Sequence, residues 1–263
     1  MTSLKQPDIS DYYHEFRKEN KPMDRYSSFD YCYNYFHPNS GNQILGDIEK
    51  SCLALGFYLS SWGMLRGSTH LITKSAKCYL PLIQYIANIA KHEEFNWHLD
   101  VNDYKSPNER QQIMDLYKGI HKVLNDKVFD DFNENKHSGN KKPKTPTLTL
   151  VTKIMLGVFG VVPAYDEYFK IAFKSLRPNK CGFNSFLDEP LDLIYDFYID
   201  NKPEIDKLSD TTQTIDFKSG KFTEFKYTKA KIIDMYGFIK GEKMIKDKKA
   251  ESEKRKRLAT QTS

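Results

Sequence analysis

The sequence lacks the motifs that mark several common classes of protein. Its four cysteines include no C-x-x-C pair, and its seven histidines form neither an H-x-x-x-H nor an H-E-x-x-H pattern, so no metal site is predicted. No apolar run approaches the roughly 20 residues that a membrane-spanning helix requires. There is no Walker loop, no G-x-S-x-G elbow, no dinucleotide fingerprint and no set of protein-kinase motifs. We therefore expect no metal, no cofactor and no membrane insertion.

One further absence and the surroundings of the cysteines indicate where the protein works. The first residues, MTSLKQPDISDYY, lack the basic-then-apolar pattern of a secretory signal peptide. The cysteines lie in apolar or aromatic surroundings, which is typical of reduced and buried thiols in a reducing compartment. The sequence therefore predicts a cytoplasmic protein.

The positive charge of the chain is concentrated at one end. The formal net charge is +5, and residues 242–263 contain eight Lys or Arg against four Asp or Glu. The rest of the chain is therefore almost neutral. We interpret residues 242–263 as a basic, flexible tail, which either holds a phosphate backbone non-specifically or is only a solvated helix end.

A stretch of two helices, residues 145–176, is the element around which the chain is organised. The first helix is apolar almost all round, and Lys153 is its only charge, so it belongs in the middle of a domain. A turn at Gly160-Val-Val-Pro163 separates it from a second helix with apolar residues at i, i+3, i+4 and i+7 from Tyr165. Asp166 lies in the first turn of this second helix.

The other segments also follow the helical period. Asn42–Met64 reads as one buried helix, and the aromatic stretch Tyr26–Phe36 favours a helix over a strand because no strand partner is evident. Ser106-Pro-Asn-Glu109 has the capping-box pattern that starts a helix. Residues 211–227 alternate around Ser219-Gly220, which indicates a small β-hairpin or an ordered loop.

These patterns predict a mostly α protein with one compact multi-helix domain over residues 1–241 and at most one small β-hairpin near 211–227. Its high content of tyrosine and phenylalanine, 17 of each, is typical of aromatic core packing. The clearest loop, residues 137–146, is the candidate for a subdomain junction.

The central stretch resembles the core of the helix-hairpin-helix DNA glycosylase superfamily. In that family an apolar helix leads to a Val/Phe-Pro turn, and an aspartate follows at the start of the next helix. Here Val162-Pro163 and Asp166 stand at the matching positions. Residues 144–149 contain no glycine, so the Gly-rich hairpin of that family is missing. The resemblance covers this stretch closely and the helical layout of the rest loosely.

The resemblance implies that the protein cleaves an N-glycosidic bond in DNA or in another nucleobase-containing ligand. Asp166 would activate water or stabilise an oxocarbenium-like transition state. A flipped base would stack on aromatic side chains, for which Trp62, Tyr165 and Tyr168 are the candidates. The lysines near the place in the sequence where the family has its DNA-contacting hairpin, Lys142, Lys144 and Lys153, are the candidates for binding nucleic acid.

A second candidate binding residue is Arg66, in the turn Gly63-x-x-Arg66-Gly-Ser-Thr69. Backbone N–H groups and the guanidinium of such a turn can hold an anion. The alternative is a plain corner between two helices, in which the arginine is structural.

Asp166 also has a simpler interpretation. An acid in the first turn of a helix interacts favourably with the helix dipole and can pair with Lys170 four residues later. On this interpretation the protein is a non-catalytic helical interaction protein with a protein partner, part of a bacterial multi-gene system. Whether the chain is an enzyme is left open by the sequence.

Overall fold

The computed structural model describes residues 9–18, 20–37, 41–66, 69–91, 95–129, 144–176, 178 and 182–261, with the side chains of 258–261 excepted. The prediction of a mostly α protein with one small hairpin is confirmed. The helices and strands, in chain order, are α1 (Ile9–Lys18), α2 (Ser28–Phe36), α3 (Gly41–Gly46), α4 (Ile48–Ser61), α5 (Leu80–Ile89), α6 (Pro107–Leu124), α7 (Leu148–Ile154), α8 (Glu167–Leu176), α9 (Asp188–Asp200), α10 (Lys202–Thr211), β1 (Gln213–Ile215), β2 (Phe222–Lys226) and α11 (Lys229–Gln261).

The apolar helix α7 lies in the interior, as its composition predicts. It continues as a π-helical turn over Met155–Phe159, and every residue from 151 to 160 is buried. Gly160, with φ 67°, then ends the helix in the left-handed conformation that glycine adopts without strain. Helices α4 and α6 pack against α7, and α2 packs against the π-helical turn that follows it.

The long helix α11 closes the structure. Its first part packs against α8, α1 and α10, and buried residues from Ile9 to Ile239 form one hydrophobic cluster. From Lys246 onward every described side chain of the helix is exposed. The segment interpreted as a basic tail is thus helical as far as Gln261, in one piece with a core helix.

The β-hairpin lies on α2. Gln213 pairs with Lys226 and Ile215 with Phe222, with an irregular register between the two pairs. The backbone N–H of Ile215 donates to the buried carboxylate of Asp30 in α2, at 2.9 Å. This anchor explains why a short hairpin is ordered here.

Two local predictions differ from the structure, and a third is only partly covered by the described residues. Asn42–Met64 is two helices, because Asp47 caps α4 through a hydrogen bond from the backbone N–H of Lys50. Helix α6 begins after Ser106 with Pro107 in its first turn, but the Ser106 side chain makes no capping hydrogen bond. Of the predicted junction loop 137–146, residues 137–143 lie outside the described residues.

Candidate functional site

A cavity of about 900 Å³ lies between the two helices of the central stretch and their neighbours. The loop after α4, the residues that lead into α7, the start of α8 and Phe238 in the first third of α11 form its walls. Six of the eight side chains that the sequence singles out line it: Trp62, Arg66, Lys144, Lys153, Asp166 and Tyr168.

The other two predicted residues stand apart from this group. Tyr165 is fully buried and packs among Phe169, Phe183 and Phe186, so it belongs to the core and not to the cavity wall. Lys142 lies outside the described residues.

An ion pair at the cavity wall joins α7 to the start of α8. The Nζ atom of Lys153 lies 3.1 Å from the Oδ2 atom of Asp166, and their side chains are only 5% and 15% exposed. The Oδ1 atom of Asp166 accepts a hydrogen bond of 3.0 Å from the backbone N–H of Phe169, so the same carboxylate caps α8. The predicted partner Lys170 is not the one that the carboxylate pairs with.

The connection between the two helices holds Asp166 in place. Residues 161–165 are buried and non-helical, so their backbone polar groups need partners other than water. The backbone N–H of Ala164 donates to Asp234 of α11 at 3.0 Å, and that of Tyr165 donates to the hydroxyl of Thr152 at 3.0 Å. These bonds fix the path of the chain immediately before the carboxylate.

Trp62 is positioned by the end of α4. Gly63 has φ 73°, and the backbone N–H of Met64 bonds to the carbonyl oxygen of Leu59 at 2.9 Å while that of Gly63 bonds to Ser60 at 2.9 Å. This pair of bonds is a Schellman motif, which glycine favours. The motif directs the chain away from the helix and leaves the Trp62 ring at the cavity.

Cationic groups surround the Trp62 ring. The Nζ atoms of Lys153 and Lys231 lie 5.1 and 5.4 Å from the ring centroid, and the Cζ atom of Arg25 lies 5.9 Å away. These distances are in the range of cation–π attraction. The indole Nε1 of Trp62 is buried and has no hydrogen-bond partner among the described residues.

Lys231 is one of two members of this group, with Arg25, that the sequence does not single out. It is 1% exposed and forms an ion pair of 3.0 Å with Asp234, three residues later in α11. Burial lowers the pKa of the Lys231 ammonium, and the neighbouring carboxylate of Asp234 opposes that change. The only sequence signal is a Lys-x-x-Asp pair beside apolar residues, which is far too common to single out.

The cavity carries more positive than negative charge. Its cationic side chains are Arg25, Arg66, Lys144, Lys153 and Lys170. Its acidic side chains are Asp166 and Glu167. Burial lowers the pKa of the Lys170 ammonium, and Asp166 partly offsets this effect. A cavity with this excess of cations and with aromatic rings suits an anionic ligand that has a flat ring.

The predicted anion-binding turn is only partly described. Thr69 donates its hydroxyl hydrogen to the carbonyl oxygen of Arg66 at 2.9 Å, and residues 67 and 68 lie outside the described residues. The exposed Arg66 side chain lines the cavity. This position is compatible with a contact to a ligand that enters from solvent.

Two features are absent from the described residues. No helix in them is both long enough and apolar enough to cross a membrane. No group of three or more His, Cys, Asp or Glu side chains within them is placed to hold a metal ion.

Comparisons of the chain with protein-family models, with curated proteins and with solved structures each gave no match. The site itself therefore has to support any assignment of function.

Proposed function

We propose that this cavity binds a nucleobase-containing ligand, preferably a nucleotide of DNA, and that Asp166 takes part in cleaving its N-glycosidic bond. The observation that carries the proposal is that the Asp166 carboxylate lines one cavity together with Trp62 and an excess of cationic side chains. The choice of bond rests on the resemblance of residues 150–166 to the helix-hairpin-helix DNA glycosylases.

The cavity offers groups for each part of such a ligand. The aromatic side chains Trp62 and Tyr168 line it and offer surfaces on which an extruded base can stack. The exposed guanidinium groups of Arg25 and Arg66 are suited to the phosphates on either side. The volume of about 900 Å³ is in the range of small-molecule sites and large enough for one nucleotide.

The carboxylate of Asp166 retains capacity for chemistry. A carboxylate has about four acceptor positions, and the two bonds from Lys153 and Phe169 use one on each oxygen. A remaining position can accept a proton from an attacking water, or the negative charge can stabilise an oxocarbenium-like sugar. The ion pair with Lys153 keeps the carboxylate in one orientation during this step.

We place this activity in the cytoplasm as part of the proposal. The cysteines that the structure describes, Cys32, Cys52 and Cys78, carry free thiols, which is typical of proteins in reducing compartments.

The test is base release from duplex oligonucleotides that each contain one modified base, with the strand then cut at abasic sites by alkali. We expect Asp166→Asn to lower the rate of release about 100-fold or more, the usual size of a lost acid–base function. Asparagine still caps a helix, so α8 should remain intact. Glu167→Gln is the matched control, because Glu167 is the adjacent acid on the same cavity, and it should stay within a few-fold of the wild-type rate.

One observation favours a second candidate function, a non-catalytic interaction protein. The Asp166 carboxylate already has a structural role, since it pairs with Lys153 and caps α8. On this candidate Asp166→Asn lowers stability, and neither the wild type nor the variant releases any base. The absence of release by the wild type over the whole set of oligonucleotides would favour this candidate.

A further inference from the structure

The exposed end of α11 is a feature that the cavity does not use. All side chains from Lys246 to Arg257 are exposed, although the same helix contributes Phe238 to the cavity wall. At 1.5 Å per residue, Lys248 lies about 15 Å and Lys256 about 27 Å beyond Phe238 along the helix axis. One continuous helix thus joins the cavity to a surface well outside it.

One side of this exposed helical segment carries basic residues and no acidic residue. At 100° per residue, the side chains of Lys248, Lys249, Arg255 and Lys256 fall within an arc of about 120° that contains no acidic residue. We call these four residues the basic stripe. The acids of the segment fall outside the arc: Asp247, Glu251 and Glu253.

The basic stripe lies on the side of α11 that faces the cavity. Phe238 falls within the same arc, since 18 residues, or five full turns, separate it from Lys256. The Phe238 ring contacts Trp62 and Tyr168, with centroid distances of 5.5 and 5.0 Å. A chain molecule with one residue in the cavity would therefore pass over the basic stripe if it continued along this side of α11.

We infer that the basic stripe binds the phosphate backbone of duplex DNA on one side of the nucleotide that enters the cavity. The inference rests on the proposed function for the identity of the polymer, and it adds a surface outside the cavity that holds the duplex. Duplex DNA carries one negative charge per about 1.7 Å of its axis. A stripe about 12 Å long, from Lys248 to Lys256, therefore faces several phosphates at once.

The composition of the segment disfavours other anionic partners. A helix that lies on a membrane needs an apolar face, and Ala250 is the only apolar residue from Lys246 to Arg257. Proteins that bind single strands stack bases on aromatic rings, and this segment has none. The segment offers cationic side chains but no aromatic rings. This composition suits the phosphate backbone of a duplex, in which the bases are paired and not accessible for stacking.

The experiment measures binding of the full chain to a fluorescent, undamaged duplex of 20 base pairs across a series of salt concentrations. The stripe variant carries Lys248→Gln, Lys249→Gln and Lys256→Gln. The control variant carries Lys246→Gln, Lys254→Gln and Arg257→Gln, which remove the same charge from the opposite side of the helix. Glutamine is a good helix former, and circular dichroism verifies that both variants keep α11.

We expect the stripe variant to bind about tenfold or more weakly at 100 mM salt, with a slope of log K against log salt that is smaller by about 2 to 3. In the control variant, the slope of log K against log salt should decrease by less than half as much. Equal losses in both variants, no binding by the wild type, or tighter binding to a single strand, to duplex RNA or to anionic vesicles would each overturn the inference.

The result can be separated from that of the base-release assay. If the stripe variant binds weakly but no base is released by the wild type, the proposed function fails and the inference about the duplex stands. If the wild type releases bases and the stripe variant binds the duplex and releases bases as well as the wild type does, the inference fails alone.

Discussion

The Nζ atom of Lys153 lies 3.1 Å from the Oδ2 atom of Asp166, and the same Nζ lies 5.1 Å from the centroid of the Trp62 ring. One buried ammonium group thus joins the carboxylate proposed for chemistry to the ring proposed for stacking. The position of the Lys153 ammonium group therefore sets how the carboxylate and the ring are placed relative to each other on the cavity wall.

Replacing Lys153 by methionine should destabilise the protein by about 3 kcal/mol, because the partly buried Asp166 carboxylate loses its partner. The double variant Lys153→Met with Asp166→Asn should lose clearly less than the sum of the two single variants, since both partners are then neutral. Urea unfolding of the wild type and the three variants gives this coupling. Strictly additive losses would show that the ion pair contributes nothing to stability.

Trp62 should report ligand binding through its fluorescence. The chain has two tryptophans, and Trp97 packs on Phe159 at a centroid distance of 4.8 Å without lining the cavity. We expect a purine nucleotide to quench the emission of Trp97→Phe, which retains Trp62, and to leave Trp62→Phe unchanged. Quenching of both variants to the same degree would indicate that the ligand binds elsewhere.

At Gly241, helix α11 lies directly against the backbone of α8. A Cβ atom added there would lie 2.0 Å from the carbonyl oxygen of Tyr168, so Gly241→Ala should force the helices apart and destabilise the protein by about 1 to 3 kcal/mol. Tyr168 and Phe238 would shift with them, and nucleotide affinity should fall. Gly46→Ala is the control, because nothing lies within 4 Å of its Cβ position. Equal effects of the two substitutions would contradict this account.

The buried carboxylate of Asp30 should make stability depend on pH. Burial raises its pKa from 3.8 to about 6, although hydrogen bonds from Tyr227 and Ile215 act in the opposite direction. Between about pH 4 and 6 the folded state therefore binds more protons than the unfolded state. The contribution of Asp30 is fully present below pH 4 and is lost as the pH rises through 6, a change of about 3 kcal/mol.

The test compares chemical unfolding of the wild type and Asp30→Asn from pH 4 to 7. Asp30→Asn should be less stable than the wild type at pH 4. Its free energy of unfolding should not show the decrease between pH 4 and 6 that titration of Asp30 causes in the wild type. The pKa of Asp100 is also raised to about 6 by burial, and that of His37 is lowered by burial. Both groups are present in both proteins, so their contributions cancel in the difference. Parallel curves would rule out titration of Asp30 in this range.

The sequence predicts the elements of this fold better than their ends. An apolar period specifies which segments are helices, and the central position of α7 follows from its lack of a polar face. The division of Asn42–Met64 at Asp47 depends on a single side-chain cap, and the periodic pattern continues across it.

The candidate site was partly predictable for a similar reason. Asp166 is singled out by its position after the Val-Pro turn, and Trp62 and Tyr168 by their aromatic rings, and the fold brings the three to one cavity. Tyr165 is adjacent to Asp166 but lies in the core. The partner of Asp166 could not be read from local spacing, because Lys153 is 13 residues away and reaches it across a turn.

The pairing of α1 with α11 has a consequence for synthesis on the ribosome. Tyr12 lies 5.0 Å from Tyr236 between ring centroids, and Phe16 lies 6.4 Å from Phe238, although more than 200 residues separate the two helices. At a translation rate of about 5 to 20 residues per second, α11 is synthesised roughly 10 to 40 s after α1. Until α11 is made, Tyr12 and Phe16 lack these two contacts, and a ribosome stalled before residue 229 would leave that part of α1 uncovered for chaperones and proteases.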